Sequence, residues 1–384
     1  MFTYLSFKKR ASDNPWLDLA RALAILLVLL RHGQRAIDPH LQSTPSLLGN
    51  AFLNGWVGVD LFFVLPGYLI SSHLIRNQQE CGFIDARRYF AGRFLRIAPA
   101  YFSAIVLIAL GAFPLYRVSH DELGLRIGYH LLFLQDYLPS NINVAFWSLG
   151  VEEKFYIAAP LIIWACLSRR KLWQRLTMVT AFAVAATVLR MTAFAGMPDG
   201  IGYETFFTYL RSPFHLCMEP LAAGVAIAMI RAYGGVRASP NLGKVFVVIS
   251  AAVLLLWLPT ENFMALIDWR DVAIHPILIA ALFALFVSGT VLMFKVPLPF
   301  EPIFRTVARL SYTLYLVHIP TIPLSMAMAN NGNNRLILFW TTYVLCSISA
   351  ALVLHYLIEK PFLLLKTQME HDGRGAMRGT VAVT

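Results

Sequence analysis

The chain alternates between long apolar stretches and short basic loops. Ten of the stretches approach the roughly 20 residues that a helix needs to cross about 30 Å of hydrocarbon. They are residues 16–35, 56–75, 97–114, 147–168, 175–196, 213–231, 244–259, 272–294, 310–328 and 336–358. This pattern predicts an all-α integral membrane protein with about ten transmembrane helices.

One further stretch, residues 121–136, is short and interrupted by ionisable side chains. These are Asp121, Glu122, Arg126, His130 and Asp136. Such a segment is typical of an amphipathic helix at the membrane surface, so we predict one additional interfacial helix here.

The charges of the loops support this count of spans. With ten spans, both termini share one side of the membrane, and twenty-two of the 32 lysines and arginines lie on that side. The opposite loops hold Arg35, Arg117, Arg126, Arg211, Arg270 and Arg335. Because basic loops stay inside, both termini are predicted to be cytoplasmic. No small-residue cleavage site follows the first stretch, so it is interpreted as a retained span.

The composition excludes several classes of protein. Hydrophobic residues make up 58% of the chain and charged residues only 14%, whereas soluble chains carry about 25% charged residues. This argues against a soluble enzyme, a disordered chain and a disulfide-rich secreted domain. The net charge of +11 is explained by basic cytoplasmic loops, so no nucleic-acid partner is expected. The four cysteines are scattered, which favours ordinary thiols over a metal site.

The first span carries two groups that are costly in a membrane, Arg21 and His32. They are eleven residues apart, so both side chains leave one helix face, about 16 Å apart along the axis. A cation near the cytoplasmic surface and a deeper imidazole could bind an anionic donor and act on its distal end. Alternatively, Arg21 anchors the helix at the interface and His32 hydrogen-bonds a neighbouring helix.

Arg93 and Arg96 stand three residues apart, before the third span. On a helix they face one way, and their planar guanidinium groups suit bidentate recognition of phosphate. The alternative is that they only anchor the cytoplasmic end of the helix.

The fourth span opens with a polar group of residues, Glu152, Glu153 and Lys154. Adjacent side chains diverge on a helix, so one carboxylate at most faces a given pocket, and the other pairs with Lys154 or faces lipid headgroups. A carboxylate that reaches His32 would fix the imidazole tautomer and raise its basicity. The alternative is an interfacial ion pair.

Two further spans contain unusual residues. In the ninth, His318 precedes a helix-kinking proline, and a structural role is favoured over catalysis. In the second, Asp60 at the outer end receives little catalytic weight, and Pro66 and Gly67 mark a kink or a close approach of helices.

Taken together, these motifs resemble the membrane-bound acyltransferase-3 family, whose members O-acylate bacterial glycans and some antibiotics. The resemblance rests on six motifs in order along the chain: Arg21-x10-His32, Gly58–Ile70, Arg93-x-x-Arg96, Trp147–Tyr156, Leu310–His318 and Ile358–Phe362.

The resemblance implies a function. Residues 15–362 would form the acyltransferase-3 transmembrane domain, between a cytoplasmic segment (1–14) and a short cytoplasmic tail (363–384). The enzyme would be a multi-pass protein of the bacterial inner membrane. It would transfer an acyl group, acetyl first and succinyl next, from cytoplasmic acyl-CoA to a hydroxyl of a surface saccharide or lipid-linked glycan precursor. No metal is expected. Some members carry a fused esterase-like domain; none is expected here, so either a glycan-assembly partner protein is needed or the membrane domain transfers the acyl group directly.

The resemblance also assigns roles to residues. His32 would be the general base or be transiently acylated, with Glu152 and Arg21 beside it as catalytic residues. Arg93 and Arg96 would bind the phosphates of coenzyme A, and Arg21 would hold the donor further along.

Supporting roles fall to His318, Tyr156 and Lys154. Glu152 is favoured over Glu153 because the second position of that pair varies in the family. Two residues depart from the family pattern: Pro66 replaces the usual serine, and Lys154 the usual glutamine. Lys154 would offer a second anion contact or tie up Glu153.

A transporter is the main rival, because buried Arg, His and Glu also suit an anion carrier or a proton-coupled carrier. A carrier should show inverted repeats, and the sequence shows none. A catalytically inactive scaffold in a glycan-export assembly is a third hypothesis, which the presence of Arg21, His32 and Glu152 argues against.

Overall fold

The computed structural model describes residues 14–37, 46–261, 267–329 and 334–369, and every regular element within these ranges is helical. Of the predicted cytoplasmic ends, 1–14 and 363–384, residues 1–13 and 370–384 lie outside the described residues. The α-helices are α1 (Pro15–Ile37), α2 (Leu47–Leu53), α3 (Gly58–Cys81), α4 (Ala86–Ala109), α5 (Leu123–Leu131), α6 (Trp147–Leu167), α7 (Leu172–Ala195), α8 (Tyr203–Phe206), α9 (Glu219–Tyr233), α10 (Pro240–Trp257), α11 (Trp269–Leu292), α12 (Glu301–Ala329) and α13 (Arg335–Leu354).

Shorter turns connect several of these helices. Turns of 3₁₀ helix occupy Asn54–Val57, Val144–Phe146, Phe214–Leu216 and Leu258–Thr260. Turns of π-helix occupy Phe207–Arg211 and His355–Glu359.

All ten predicted spans overlap a helix of at least 15 residues. Six helical runs in the described part of the chain are long and apolar enough to cross a membrane: Leu47–Cys81, Ala86–Ala109, Leu172–Ala195, Pro240–Thr260, Trp269–Leu292 and Arg335–Met369. The other four helices, α1, α6, α9 and α12, are short or carry charged and polar side chains. The chain is therefore a multi-pass membrane protein, while ten crossings and cytoplasmic ends remain predictions.

The helix boundaries differ from the predicted ones at several places. Helix α4 begins at Ala86, so Arg93 and Arg96 lie well inside it. Helix α9 begins only at Glu219, because Pro213 is extended and a 3₁₀ turn follows it.

Helix α5 is the helical part of the stretch that predicts an interfacial helix. Its polar side faces inward: Arg126 and His130 are buried, whereas Leu125 and Leu131 are exposed. Burial, together with the charge of the neighbouring Arg126, lowers the pKa of His130 to about 4, so its imidazole is neutral at pH 7. An outward apolar side suits contact with lipid, and the position of α5 at the interface remains a prediction.

The described residues divide into two compact units. The smaller unit comprises residues 85–123 and 312–369, and the larger unit comprises residues 14–84 and 124–311. In the smaller unit, α4 packs against the π-helical turn His355–Glu359. The Tyr312 hydroxyl also donates to the Ile97 carbonyl oxygen at 2.8 Å, which ties α12 to α4.

Glycines set the closest helix contacts of the larger unit. A Cβ atom on Gly67 of α3 would overlap the Leu221 carbonyl oxygen of α9, and Gly224 of α9 meets the backbone of α3 in return. Gly67 is thus a site of close approach, as its sequence predicts, and α3 remains helical through Pro66. At the N-terminal end of α3, a Cβ on Gly58 would lie 2.5 Å from the Ala24 carbonyl oxygen of α1. Small residues allow such contacts, which dispersion forces then stabilise.

Replacing Gly67 with alanine should therefore destabilise the protein. The atoms that the new methyl group meets belong to the backbone of α9, so the helices must separate, at a cost of about 1–3 kcal/mol. Thermal unfolding in detergent micelles measures the effect. Gly124→Ala is the matched control, because a Cβ there meets no atom within 4 Å; equal melting temperatures for the two variants would contradict the tight contact.

Acidification should destabilise the fold through His130. The unfolded chain binds a proton near pH 6.5, but the folded protein binds it only near pH 4. The stability that the neutral imidazole contributes is therefore complete above pH 6.5 and is lost as the pH falls toward 4. The measurement is the difference in melting temperature between wild type and His130→Phe from pH 7 to pH 4, which should change in this window; a constant difference would refute the assignment.

Candidate functional site

The α1 imidazole, His32, is half-buried near the C-terminal end of its helix. Its Nδ1 atom lies 3.0 Å from the Val28 carbonyl oxygen, one turn earlier. When Nδ1–H donates to this carbonyl, the lone pair resides on Nε2, which is the form a general base requires. Arg21 lies on the same helix, 3.7 Å from the Asp18 carboxylate, with its side chain 30% exposed.

Arg31, next to His32, was not singled out by its sequence. It is buried, donates to the Leu53 carbonyl oxygen at 3.0 Å, and lies 5.1 Å from the Tyr203 ring centroid. Arg35 approaches the same ring at 5.8 Å. These cation–π contacts fasten the end of α1 that carries His32 to Tyr203.

Residues 203–211, here called the aromatic segment, also reach the start of α6. Tyr203 stacks on Phe207 with centroids 6.1 Å apart, and Phe207 meets Trp147 edge-on at 5.5 Å. Trp147 is the first residue of α6. The aromatic segment therefore contacts both the helix end that carries His32 and the helix start that carries Glu152.

A buried ion pair holds the aromatic segment on α3. An Arg211 terminal nitrogen lies 2.8 Å from the Asp60 carboxylate, and both residues are buried. The Arg211 guanidinium also lies 5.2 Å from the Trp56 ring and 5.3 Å from the Trp147 ring. The sequence placed Arg211 in an outer loop and gave Asp60 little catalytic weight. The opposite charges of the two residues were the only signal of a pair, and charge alone does not identify a partner.

Glu152 is half-buried on α6. It accepts a hydrogen bond of 2.8 Å from the Tyr156 hydroxyl, one turn further along. This contact orients the carboxylate, while the supporting role of Tyr156 remains a prediction. Helices α1 and α6 both pack against α3. The action of Glu152 on His32 remains a proposal.

Lys154 pairs with Asp136, a partner that its sequence did not suggest. The ammonium lies 2.5 Å from Asp136 Oδ1, and it also donates to the Phe133 and Gly150 carbonyl oxygens. The other oxygen of Asp136 accepts a bond of 3.2 Å from the Phe214 amide. Burial raises the pKa of Asp136, although Lys154 opposes that shift. Lys154 therefore joins α6 to the loop after α5. The sequence had suggested a different partner for it, Glu153 or a bound anion.

A second buried ion pair links α7 to α9. Arg190 lies 2.5 Å from Glu219, which also accepts a bond of 2.8 Å from the Thr187 hydroxyl. Arg190 further donates to the Leu216 and Val272 carbonyl oxygens. With so many buried acceptors, the guanidinium is well satisfied, and its role is structural.

A narrow recess opens beside the aromatic segment. In its wall, Asp271 lies 3.0 Å from the His275 ring, an arrangement that offers hydrogen-bonding groups next to aromatic faces. The recess is lined by Trp56, Tyr203, Phe206, Arg211, Ile267, Asp271 and His275.

The remaining predicted residues belong to the smaller unit. Arg93 and Arg96 are half-buried on α4, and the Arg93 guanidinium lies 5.8 Å from the Tyr89 ring. His318 is fully buried on α12, with Nδ1 2.9 Å from the Tyr315 carbonyl oxygen of its own helix. Whether its role is structural or supporting remains a prediction.

Removing the Lys154 charge should destabilise the larger unit. Lys154→Met leaves Asp136 buried without its cation and should cost about 2–4 kcal/mol, less than a fully buried pair because Lys154 is partly exposed. The double variant Lys154→Met/Asp136→Asn should recover much of this loss. Unfolding in detergent measures all three proteins, and additive effects of the two substitutions would exclude the pair as a coupled unit.

Comparison with known proteins places these motifs in a family. A family model described as an acyltransferase domain, that of acyltransferase-3, matches residues 14–358. A putative peptidoglycan O-acetyltransferase of Bacillus subtilis is 25% identical over 371 residues, which cover 90% of this chain and 54% of that protein. A putative O-acetyltransferase of Staphylococcus aureus is 27% identical over 173 residues, 40% of this chain and 25% of that protein.

A putative acetyltransferase of Acidianus two-tailed virus is 34% identical over 128 residues, 32% of this chain and 35% of that protein. The matches thus span from a quarter to about half of the length of these curated relatives. No solved structure matches the chain significantly. Since the family model covers nearly the whole helical region, the chain belongs to the acyltransferase-3 family of membrane-bound acyltransferases.

Proposed function

We propose that this protein is an O-acyltransferase of the bacterial inner membrane. It transfers an acyl group, acetyl in the first instance, from cytoplasmic acyl-CoA to a hydroxyl of a surface saccharide or a lipid-linked glycan precursor. Membership in the family supports the reaction type. The name of the Bacillus subtilis relative supports a cell-envelope glycan as the acceptor.

One observation carries the assignment of the catalytic residues. The aromatic segment touches the end of α1 through Arg31 and the start of α6 through Trp147. His32 lies near the end of α1, and Glu152 lies in the second turn of α6. One packed segment contacts both helices. The helices that carry the two groups therefore share one packed neighbour, which supports the action of both groups on one substrate.

The proposed chemistry follows from the tautomer of His32. With Nδ1–H bonded to the Val28 carbonyl, Nε2 accepts the proton of the acceptor hydroxyl. The hydroxyl oxygen then attacks the thioester carbonyl, the carbon–sulfur bond breaks, and the thiolate of coenzyme A receives the proton from His32. An alternative route begins with attack of Nε2 on the thioester and passes through an acyl-histidine.

Glu152 would stabilise the imidazolium that forms in this step. Its carboxylate is already oriented by the Tyr156 hydroxyl. Arg21 would hold the anionic donor on α1. Arg93 and Arg96 would bind phosphates of coenzyme A, for which bidentate guanidinium groups are suited.

The recess beside the aromatic segment is the proposed binding place of the saccharide acceptor. A saccharide offers many hydroxyl groups, and the recess beside the aromatic segment holds the Asp271 and His275 pair together with aromatic faces. Membrane lipid surrounds the helices, and a glycan-assembly partner protein would deliver or receive the saccharide.

The first test is turnover of acyl-CoA by purified protein in nanodiscs. Release of free thiol from acetyl-CoA and succinyl-CoA is followed with an envelope glycan as acceptor. His32→Ala should lower the rate about 100- to 10,000-fold, because the general base is lost. His120→Ala, which changes an exposed histidine, should leave the rate unchanged.

The outcomes separate the competing functions. Equal rates in wild type and His32→Ala would remove this residue from the chemistry. Absence of thiol release from folded wild type would favour a carrier, which should be indifferent to acyl-CoA and instead move an anion or glycan across the membrane.

A further inference from the structure

Tyr137, in the loop after α5, forms a stacked pair with His215, in the 3₁₀ turn before α9. The two ring planes are parallel to within 1°, and their centroids are 5.7 Å apart. The Tyr137 oxygen lies 2.9 Å from His215 Nδ1 and accepts a longer bond of 3.4 Å from the His215 amide. Both residues are exposed, so this ordered pair, here called the Tyr–His platform, is accessible to a ligand.

Buried contacts hold the platform in place. The carboxylate of Asp136, which precedes Tyr137, accepts from the Phe214 amide at 3.2 Å. The Asp136 carbonyl oxygen accepts from the Ser212 hydroxyl at 3.0 Å, so two bonds fasten the loop after α5 to the residues that follow the aromatic segment. The Lys154 ammonium, which pairs with Asp136, also lies 5.2 Å from the Tyr137 ring centroid. The platform therefore has a set orientation, although it is exposed.

The loop that carries Tyr137 is strained on both sides of this residue. Phe133 and Asn141 have φ angles of 53° and 45°, in the left-handed region that residues other than glycine rarely adopt. Such strain persists only where surrounding contacts enforce it, and it is concentrated at functional sites. Here the Lys154 ammonium donates to the Phe133 carbonyl oxygen. Contacts with α6 thus enforce the loop conformation that exposes Tyr137.

The platform offers the groups that recognise a sugar ring. A pyranose has an apolar face of C–H groups, which stacks on an aromatic ring, and it carries hydroxyl groups at its edge. When the Tyr137 hydroxyl donates to His215 Nδ1, the imidazole hydrogen resides on Nε2. Nε2–H can then donate to a sugar hydroxyl, so the platform combines stacking with hydrogen bonding.

The platform also lies near the proposed acceptor recess. His215 is four residues after Arg211, which lines the recess. Four residues span at most about 14 Å, so one short oligosaccharide can reach both places. With ten spans, both loops are predicted to lie on the outer side of the membrane, where a surface saccharide would be.

We propose that Tyr137 and His215 form a second saccharide subsite, which binds a further sugar unit of an extended acceptor. This subsite rests on the proposed function and deepens it, because it adds to the recess and makes an oligosaccharide a better acceptor than a single sugar. Tyr137 and His215 bind the acceptor and take no part in acyl transfer.

The test is equilibrium binding of chitotetraose, a β-linked oligomer of N-acetylglucosamine, to the full chain in phosphatidylcholine nanodiscs. Tyr137→Ala and His215→Ala should each weaken binding about three- to tenfold, because a stacking partner is lost. Tyr137→Phe keeps the ring and should bind more tightly than Tyr137→Ala. The controls are Trp173→Ala and His120→Ala, which remove exposed rings elsewhere and should bind as wild type does.

A second set of measurements separates sugar binding from a structural role. His215→Ala should keep the melting temperature of wild type in detergent and the KM for acetyl-CoA, because its ring is exposed and contacts the acceptor rather than the donor. Weaker chitotetraose binding accompanied by a lower melting temperature in both alanine variants would overturn the subsite. Tyrosine is also common at membrane interfaces. Weaker binding in nanodiscs but not in detergent would assign the rings to the lipid interface instead.

The remaining outcomes distinguish the subsite from the proposed function. Equal binding by wild type and both alanine variants, or no chitotetraose binding by folded wild type, would overturn the subsite and leave acyl transfer standing. Binding that depends on both rings, in a protein that releases no thiol from acetyl-CoA with envelope glycan, would support sugar recognition and overturn the acyl-transfer function.

Discussion

The ion pair between Asp60 and Arg211 is the contact on which the proposed site depends. Both side chains are out of water, so neither could stay charged at low cost without the other. The pair anchors the aromatic segment to α3, and that segment in turn touches α1 through Tyr203 and α6 through Phe207. A buried charge pair thus holds in place the segment that contacts the two helices that carry His32 and Glu152.

Glycines allow the helices around this segment to pack in backbone contact. Gly58 brings the start of α3 against α1, and Gly67 and Gly224 bring α3 against α9. Helix association in lipid relies on such contacts, because hydrocarbon chains compete with apolar side chains. Helices α1 and α6 fall outside the six runs that are apolar enough to cross a membrane. Their charged residues are the ones to which the proposal gives chemistry, as expected where intramembrane charge marks function.

Lys154, which replaces the glutamine usual in the family pattern, has a partner of opposite charge in Asp136. The lysine compensates a buried carboxylate on the loop after α5, and Asp136 in turn binds the Phe214 amide. A glutamine at this position could still donate a hydrogen bond to Asp136 but would leave its charge uncompensated. The pair therefore ties the first turns of α6, where Glu152 lies, to two neighbouring segments without entering the proposed chemistry.

The sequence by itself determined the helical class, the approximate place of the ten apolar stretches and the family, because hydrophobic runs and local motifs are written in consecutive residues. It also identified His32, Glu152, Arg93 and Arg96 as candidates by their cost in a membrane or their spacing. Only the tertiary structure decided the partners of the charges: Asp60 with Arg211, Glu219 with Arg190, Asp136 with Lys154. These partners are 18 to 151 residues apart along the chain, and their pairing depends on which helices pack together, which no local pattern encodes.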